Sequence, residues 1–332
     1  MDLQIYPLLF EPVYKEVIWG GNKISSYTGK NLPETDAPIG EAWIICDRED
    51  KQSVVSNGSL AGKTLGELVK TFPGKIVGSR HSSESPFPIL VKLIDSRKRL
   101  SLQVHPDEVI ARKYAEAEPK NEMWYILDHE DGAKIYAGLR FDKTQLQFRT
   151  RIGTDKLEEC LQTFPSNKGD AYYISAGTVH SIGGGNLILE VQQNSDTAYR
   201  VHDWGRAGFN GEPRELHVEK ALESIHFKDR GLPLIRVDER PVTANKKKSL
   251  VRPNKFFMSE ELKIVSDFFS KTSSKTFHLL SAVDTSFTVK YGNGEVLIPK
   301  GDTCLLPAGL GEYHIPPLEA CDLTVIRTKL SM

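Results

Sequence analysis

Residues Lys168–Gly177 (KGDAYYISAG) realign with Lys300–Gly309 (KGDTCLLPAG) at an offset of 132 residues. Each copy opens with Lys-Gly-Asp, runs through five residues of strand composition and closes on Ala-Gly. A β-unit repeated that far apart predicts two similar β domains rather than one larger sheet. At 332 residues the chain exceeds one average domain and has room for two. The copies diverge after the shared glycine. The first continues Thr-Val-His180, whereas the second reads Leu-Gly-Glu312, with His314 two residues further along the same strand face. We therefore expect residues 1–230 to carry the chemistry and 231–332 to form a degenerate, structural second domain.

A second constraint comes from Leu100–Asp107 (LSLQVHPD). Strand side chains two apart share a face, so Ser101, Gln103 and His105 point one way and Leu100, Leu102 and Val104 the other. A hydroxyl, an amide and an imidazole side by side suit a polar cavity, not an ordinary core. Pro106 ends the strand and Asp107 opens a helix predicted to reach Ala117. Pro88–Asp95 reads as a buried strand, and Glu122–Leu127 with Lys134–Gly138 as a strand pair around Asp131-Gly132. Helices are predicted at Leu65–Thr71, Asp142–Arg151, Asp155–Phe164 and Pro213–Ile225, some of them covering one end of a barrel. Gly183–Asn186 reads as a hairpin turn and Asn245–Lys248 as a solvated loop. Alternating segments at Leu262–Phe268, Thr276–Val283, Ser286–Tyr291, Glu295–Ile298 and Asp322–Thr328 read as strands.

Charge narrows the partners. A formal net charge of -1 and a pI near 6.8 argue against a nucleic-acid-binding surface, so an anionic substrate needs locally placed cations. Cys46, Cys160, Cys304 and Cys321 form no CxxC pair, which predicts small buried thiols in a reducing compartment. The start lacks a basic, apolar leader, and no stretch has the length to span a bilayer. These features predict a cytoplasmic protein with no membrane partner.

The pattern G-x5-S-x-G-x2-H over Gly169–His180 resembles the second motif of the cupin superfamily, with Ser175 where a proline is usual and Pro307 holding that slot in the second copy. The resemblance implies a mainly β fold of two cupin-like antiparallel β-barrels (jelly rolls) with a small helical cover. It also implies that Gln103, His105 and Glu122 supply first-motif ligands beside His180. Two imidazole nitrogens and two oxygens suit Zn²⁺, although Fe²⁺, Mn²⁺ and Co²⁺ also fit. With one carboxylate, a divalent site stays formally at about +1, the charge a Lewis acid needs.

Longer strings narrow the resemblance. LSLQVHPD at 100–107, KNEMW at 120–124, SAGTVH at 175–180 and QNSDTAYR at 193–200 are similar to type I phosphomannose isomerases. IWGG at 18–21, IGEAW at 39–43 and RELH at 214–217 agree with that family. Membership implies zinc-dependent interconversion of mannose 6-phosphate and fructose 6-phosphate, with one zinc per chain. It implies metal ligands Gln103, His105, Glu122 and His180, an essential Arg200, Lys120 in the pocket, and Ser101 at the phosphate. Arg206 is a further basic candidate for the substrate, and Glu190 another group facing it. Proton transfer through an enediolate needs a base, for which Lys120, Glu190 and Asp203 compete. Two other readings fit parts of the pattern: an iron-dependent cupin dioxygenase and a non-catalytic sugar-phosphate-binding protein. A monomer and a dimer are equally compatible with the sequence.

Overall fold

The protein is described here by a computed structural model covering residues 4–229, 231–319 and 322–331. Strands of three or more residues are β1 Val13–Glu16, β2 Ile39–Ile45, β3 Ile89–Ser96, β4 Leu102–Val104, β5 Glu122–His129, β6 Lys134–Leu139, β7 Leu161–Pro165, β8 Ala171–Ile174, β9 His180–Ile182, β10 Asn186–Gln193 and β11 Tyr199–His202. They form a six-stranded sheet in the order β8-β5-β10-β3-β2-β1 and a five-stranded sheet in the order β7-β6-β9-β4-β11. From β8 to β11 every connection crosses from one sheet to the other. The expected strand at Pro88–Asp95 is β3, buried along its whole length because both of its faces are covered.

The C-terminal strands are β12 Arg240–Val242, β13 Asn245–Ser249, β14 Phe257–Ile264, β15 Phe268–Lys271, β16 His278–Ala282, β17 Phe287–Tyr291, β18 Gly294–Ile298, β19 Thr303–Leu306, β20 Glu312–Ile315 and β21 Leu323–Leu330. They build sheets ordered β12-β13-β14-β21-β16-β19 and β15-β20-β17-β18. The fold is mainly β, and among the described residues no sheet closes on itself. The two repeat copies contribute β8 and β19, each at the edge of a six-stranded sheet.

Three apolar layers fix the arrangement. Between the first two sheets lie Trp19, Ile94, Trp124, Ile126, Tyr172 and Ile188. The outer face of the five-stranded sheet (Leu102, Val104, Val201) is sealed by Phe148, Ala221, Leu222 and Ile225. The helices thus cover a sheet face rather than a barrel end. The outer face of the six-stranded sheet packs Val91, Leu93, Met123 and Leu189 against Phe257, Phe277, Leu279 and Ile326 from the C-terminal half. At about 1.5–3 kcal/mol per fully buried large apolar side chain, this shared layer fastens the C-terminal half to the six-stranded sheet.

Several local expectations need correction. β5 and β6 flank the turn at Asp131-Gly132 but do not pair, because β5 already has β8 and β10 on its two edges. Gly183–Asn186 is likewise a sheet crossing, fastened by Gly183 N–H to Lys134 O at 2.9 Å and Gly185 N–H to Ser96 O at 2.6 Å. A Cβ on Gly183 would lie 2.3 Å from Lys134 O, so a side chain is excluded there. The predicted helix at Asp155–Phe164 is a short 3-10 turn, Glu158–Cys160, followed by β7, whose pairing with β6 outweighs the cap-like spacing. Asn245–Lys248 lies in β13; its lysines pair across strands, Lys247 with Glu260 at 3.9 Å and Lys248 with Glu261 at 3.1 Å.

Helix Leu65–Thr71 forms as expected, with a complete capping box between Thr64 and Glu67. Glu108–Lys113 is shorter than expected but capped by Asp107 as anticipated. Gln145–Arg151 starts at Thr144, not Asp142, and the last predicted helix is confined to Val218–Ser224. Cys46, Cys160 and Cys304 are buried free thiols; Cys321 lies outside the described residues. Among the described residues, no helix is long and apolar enough to cross a membrane.

Candidate active site

The inner faces of the two sheets bring together residues far apart in sequence. His180 on β9 stands in register with Gln103 on β4, and β5 opposite begins at Glu122. His105 follows β4 directly. One ligand atom from each of His105, Glu122 and His180 falls within 4.8 Å of the others, and all three residues are buried. Gln103 Nε2 lies 3.3 Å from His180 Nε2. Gln103 and His180 border the adjoining cavity.

The protonation pattern makes this a set of acceptors. His105 Nδ1–H donates to Thr197 O at 2.9 Å and His180 Nδ1–H to Thr178 O at 2.8 Å, a tautomer assignment dictated by the carbonyl partners. Both Nε2 lone pairs therefore face Glu122, at 3.3 Å from Oε2 and 3.4 Å from Oε1. Burial, aided by the Lys120 charge, pushes His105 down to about 3, and burial also lowers His180, so both imidazoles are neutral near pH 7. Burial opposes ionisation of Glu122, yet the Lys120 charge holds its carboxyl well below the usual range. His105 Nε2 and both Glu122 oxygens are buried without a hydrogen-bond partner. Lys120 Nζ approaches Glu122 Oε2 at 2.9 Å, contributing charge but not hydrogen-bond geometry. Buried acceptors without partners are costly, and these nitrogen and oxygen donors fit a divalent metal.

Beside it opens a cavity of about 290 Å³. Its wall includes Ser101, Gln103, Lys120, Glu190 and Arg200, so these sequence-derived candidates do converge. A buried ladder of alternating charge runs underneath. Glu41 Oε2 is 3.8 Å from Lys92 Nζ, which is 3.5 Å from Glu190 Oε1; Glu190 Oε1 is in turn 3.8 Å from Lys120 Nζ. Trp43 and Trp124 donate indole N–H groups to Glu41 at 2.6 Å and Glu190 at 2.8 Å. Burial raises the Glu190 carboxyl against the opposing charges of Lys120 and Lys92.

Arg200 on β11 also lines the cavity, in register with Gln103. Arg206 is not on the wall. Its guanidinium is turned away, bonded to Asp203 Oδ1 at 2.5 Å and to Arg99 O. Arg214 is on the wall in its place, a residue that sequence reasoning passed over inside the RELH string. Asp203 is not on the wall either. Arg214 and Arg206 hold its carboxyl below the usual range despite burial, which makes it a poor base. Lys92 and Asp196 were also missed. Lys92 carried a signal, being the one charge inside the apolar run PILVKLI.

The model of the phosphomannose isomerase type I catalytic domain matches residues 8–140. A probable mannose-6-phosphate isomerase of Bacillus subtilis, GmuF, is 34% identical over 93% of this chain and 96% of its own length. The chain belongs to the type I phosphomannose isomerase family. The crystal structure of the mannose 6-phosphate isomerase from Bacillus subtilis superposes with a TM-score of 0.86 and 31% identity, over 98% of this chain and 99% of that one. A mannose 6-phosphate isomerase solved with zinc and yttrium shares the fold at a TM-score of 0.75 and 13% identity, over 98% of this chain and 100% of that one. The phosphomannose isomerase likeness thus extends through both halves, well beyond the residues of the catalytic-domain match.

Proposed function

We propose that this chain catalyses the reversible isomerisation of D-mannose 6-phosphate and D-fructose 6-phosphate, an aldose–ketose isomerisation through an enediolate. One observation carries the proposal: an acceptor-only cluster adjoins a small cavity whose wall includes Arg200 and Arg214. The volume lies near the lower end of ordinary ligand pockets, which run from about 300 Å³, and suits one hexose phosphate. Gln103, His105, Glu122 and His180 hold the metal, which we take to be Zn²⁺ at one per chain. Bound there, it supplies Lewis-acid stabilisation of negative charge developing on the sugar oxygens.

The other roles belong to the chain's own side chains. Arg200 stabilises the second developing oxyanion, a contribution of about 3–4 kcal/mol for one preorganised donor. Lys120 as the neutral amine takes the proton from one sugar carbon and, as the ammonium balanced by Glu190, returns it to the neighbouring carbon, with Glu190 also facing the sugar. Ser101 and Arg214 receive the phosphate, and Arg206 acts from behind Arg214. The fold reading that accompanies this is two jelly rolls: residues 1–230 are the catalytic unit with helical insertions, and 231–332 a degenerate unit without metal. Neither an iron dioxygenase nor a non-catalytic binder has use for both an arginine-lined wall and an intact ligand set. The cytoplasm supplies both sugar phosphates and is the setting we propose.

The test is a coupled assay for fructose 6-phosphate. Wild type should turn over, and Arg200→Ala should lose at least about 100-fold in kcat with its melting temperature nearly unchanged. No product from wild-type protein carrying metal would end the proposal.

A further inference from the structure

The chain after β11 returns to the cavity through a loop rich in glycine, Asp203 to Arg214. Its first residue organises the rest. The Asp203 carboxylate is 5% exposed and accepts three charge-assisted bonds. Oδ1 receives Arg206 Nη2 at 2.5 Å and Arg214 Nη2 at 2.6 Å, while Oδ2 receives Arg214 Nε at 2.7 Å. Arg214 is thus gripped on two donors in fork geometry, leaving its remaining edge for the cavity. Arg206 does not reach the cavity but donates to Arg99 O. Trp204, held at φ 58, donates its indole N–H to Leu100 O at 2.6 Å. Arg99 and Leu100 are the residues immediately before Ser101 on the cavity wall. One carboxylate therefore ties Arg214 on one side to the backbone carrying Ser101 on the other.

The charge balance agrees. Arg200, Arg206 and Arg214 carry three positive charges and Asp203 one negative, so this group of four side chains nets +2. A phosphate monoester carries close to two negative charges at pH 7.

We infer that Asp203 is a positioning residue for the phosphate end of the site, acting by holding Arg214 on the wall and, through Arg206, fixing the segment that carries Ser101. The inference rests on the proposed sugar-phosphate reading but is testable without turnover. Its sign separates it from plain electrostatics. Removing the carboxylate raises the local charge from +2 to +3, so if charge alone mattered, a phosphate would bind more tightly. If geometry matters, it binds less tightly.

The experiment compares wild type with Asp203→Asn, both loaded with metal, using inorganic phosphate as probe by calorimetry and mannose 6-phosphate in the coupled assay. The variant should bind inorganic phosphate at least about tenfold more weakly and raise KM by a similar factor, with kcat within about threefold and metal content unchanged. Asp203→Glu, which keeps the charge, should recover part of the affinity. Should Asp203→Asn not fold, Arg206→Lys keeps the charge but cannot bridge Asp203 and Arg99 O at once, and should weaken phosphate about threefold. Phosphate binding equal to or tighter than wild type in whichever variant folds, or a wild type with no phosphate affinity, overturns the inference. A wild type that binds phosphate but forms no fructose 6-phosphate instead overturns the catalytic reading and leaves this one standing.

Discussion

Replacing Lys92 with Met isolates the buried charge ladder, because Met keeps most of the length and apolar bulk and removes only the charge. Lys92 Nζ sits 3.5 Å from Glu190 Oε1, 3.8 Å from Glu41 Oε2 and 4.6 Å from the centre of the Trp43 ring. In the variant the two carboxylates lose their shared cation. Breaking a buried ion pair by deleting one partner costs about 3–5 kcal/mol. At about 2.1 cal/mol/K of unfolding entropy per residue, 332 residues give about 0.7 kcal/mol/K, so the melting temperature should fall by about 4–7 °C. The deficit should also depend on pH. Burial already raises the Glu190 carboxyl against Lys120 and Lys92, and deleting Lys92 raises it further. A carboxyl raised in the folded state binds more protons there than in the unfolded chain, so stability grows as pH falls towards its unfolded value. Calorimetry at pH 8 and pH 5 should therefore show the deficit of Lys92→Met narrowing at pH 5. An unchanged melting temperature, or a deficit as large at pH 5 as at pH 8, would refute the reasoning.

Further outcomes follow from other parts of the molecule. Gly20→Ala places a Cβ 2.6 Å from Gly40 N and 2.8 Å from Gly40 Cα, both backbone atoms beside the cavity residues Trp19 and Glu41. It should cost about 3 kcal/mol or more and reduce turnover, and wild-type denaturation and kinetics would contradict this. His278 is pushed down to about 3 by burial, then by Arg327 and Lys329, while its Nδ1 contacts Tyr313 OH at 2.9 Å. Below about pH 6.5 the unfolded chain takes up a proton that the folded one refuses, so stability falls with pH by about 2 kcal/mol at pH 5. His278→Asn should flatten the urea-denaturation profile between pH 7 and pH 5; an unaltered slope would show that another group governs it.

Much of the candidate site was legible because its proposed ligands are polar residues at positions where strand patterning demands apolar ones. Ser101, Gln103 and His105 alternate with Leu100, Leu102 and Val104, and the structure keeps Gln103 on the cavity side while Leu102 and Val104 enter the outer core; Leu100, expected beside them, precedes the strand and lines the cavity instead. The strands themselves were mostly visible. Their partners were not, since Asp131-Gly132 and Gly183–Asn186 resemble hairpin turns and pairing depends on which edges are already taken. Arg206 and Arg214 could not be separated by composition. Only the fold shows that Arg206 turns to Arg99 O while Arg214 stays on the wall. The lysines of β13 looked solvated because their carboxylate partners lie on the neighbouring strand, β14.

The central claim is that Gln103, His105, Glu122 and His180 gather one divalent ion on which isomerisation depends. Elemental analysis and the coupled assay on the same purified sample, through stepwise chelation and readdition of zinc, test it most directly. The account predicts close to one metal per chain, turnover falling in proportion to metal removed and returning with zinc, and neither metal nor turnover in His105→Ala. Sustained turnover in protein stripped of metal would contradict it.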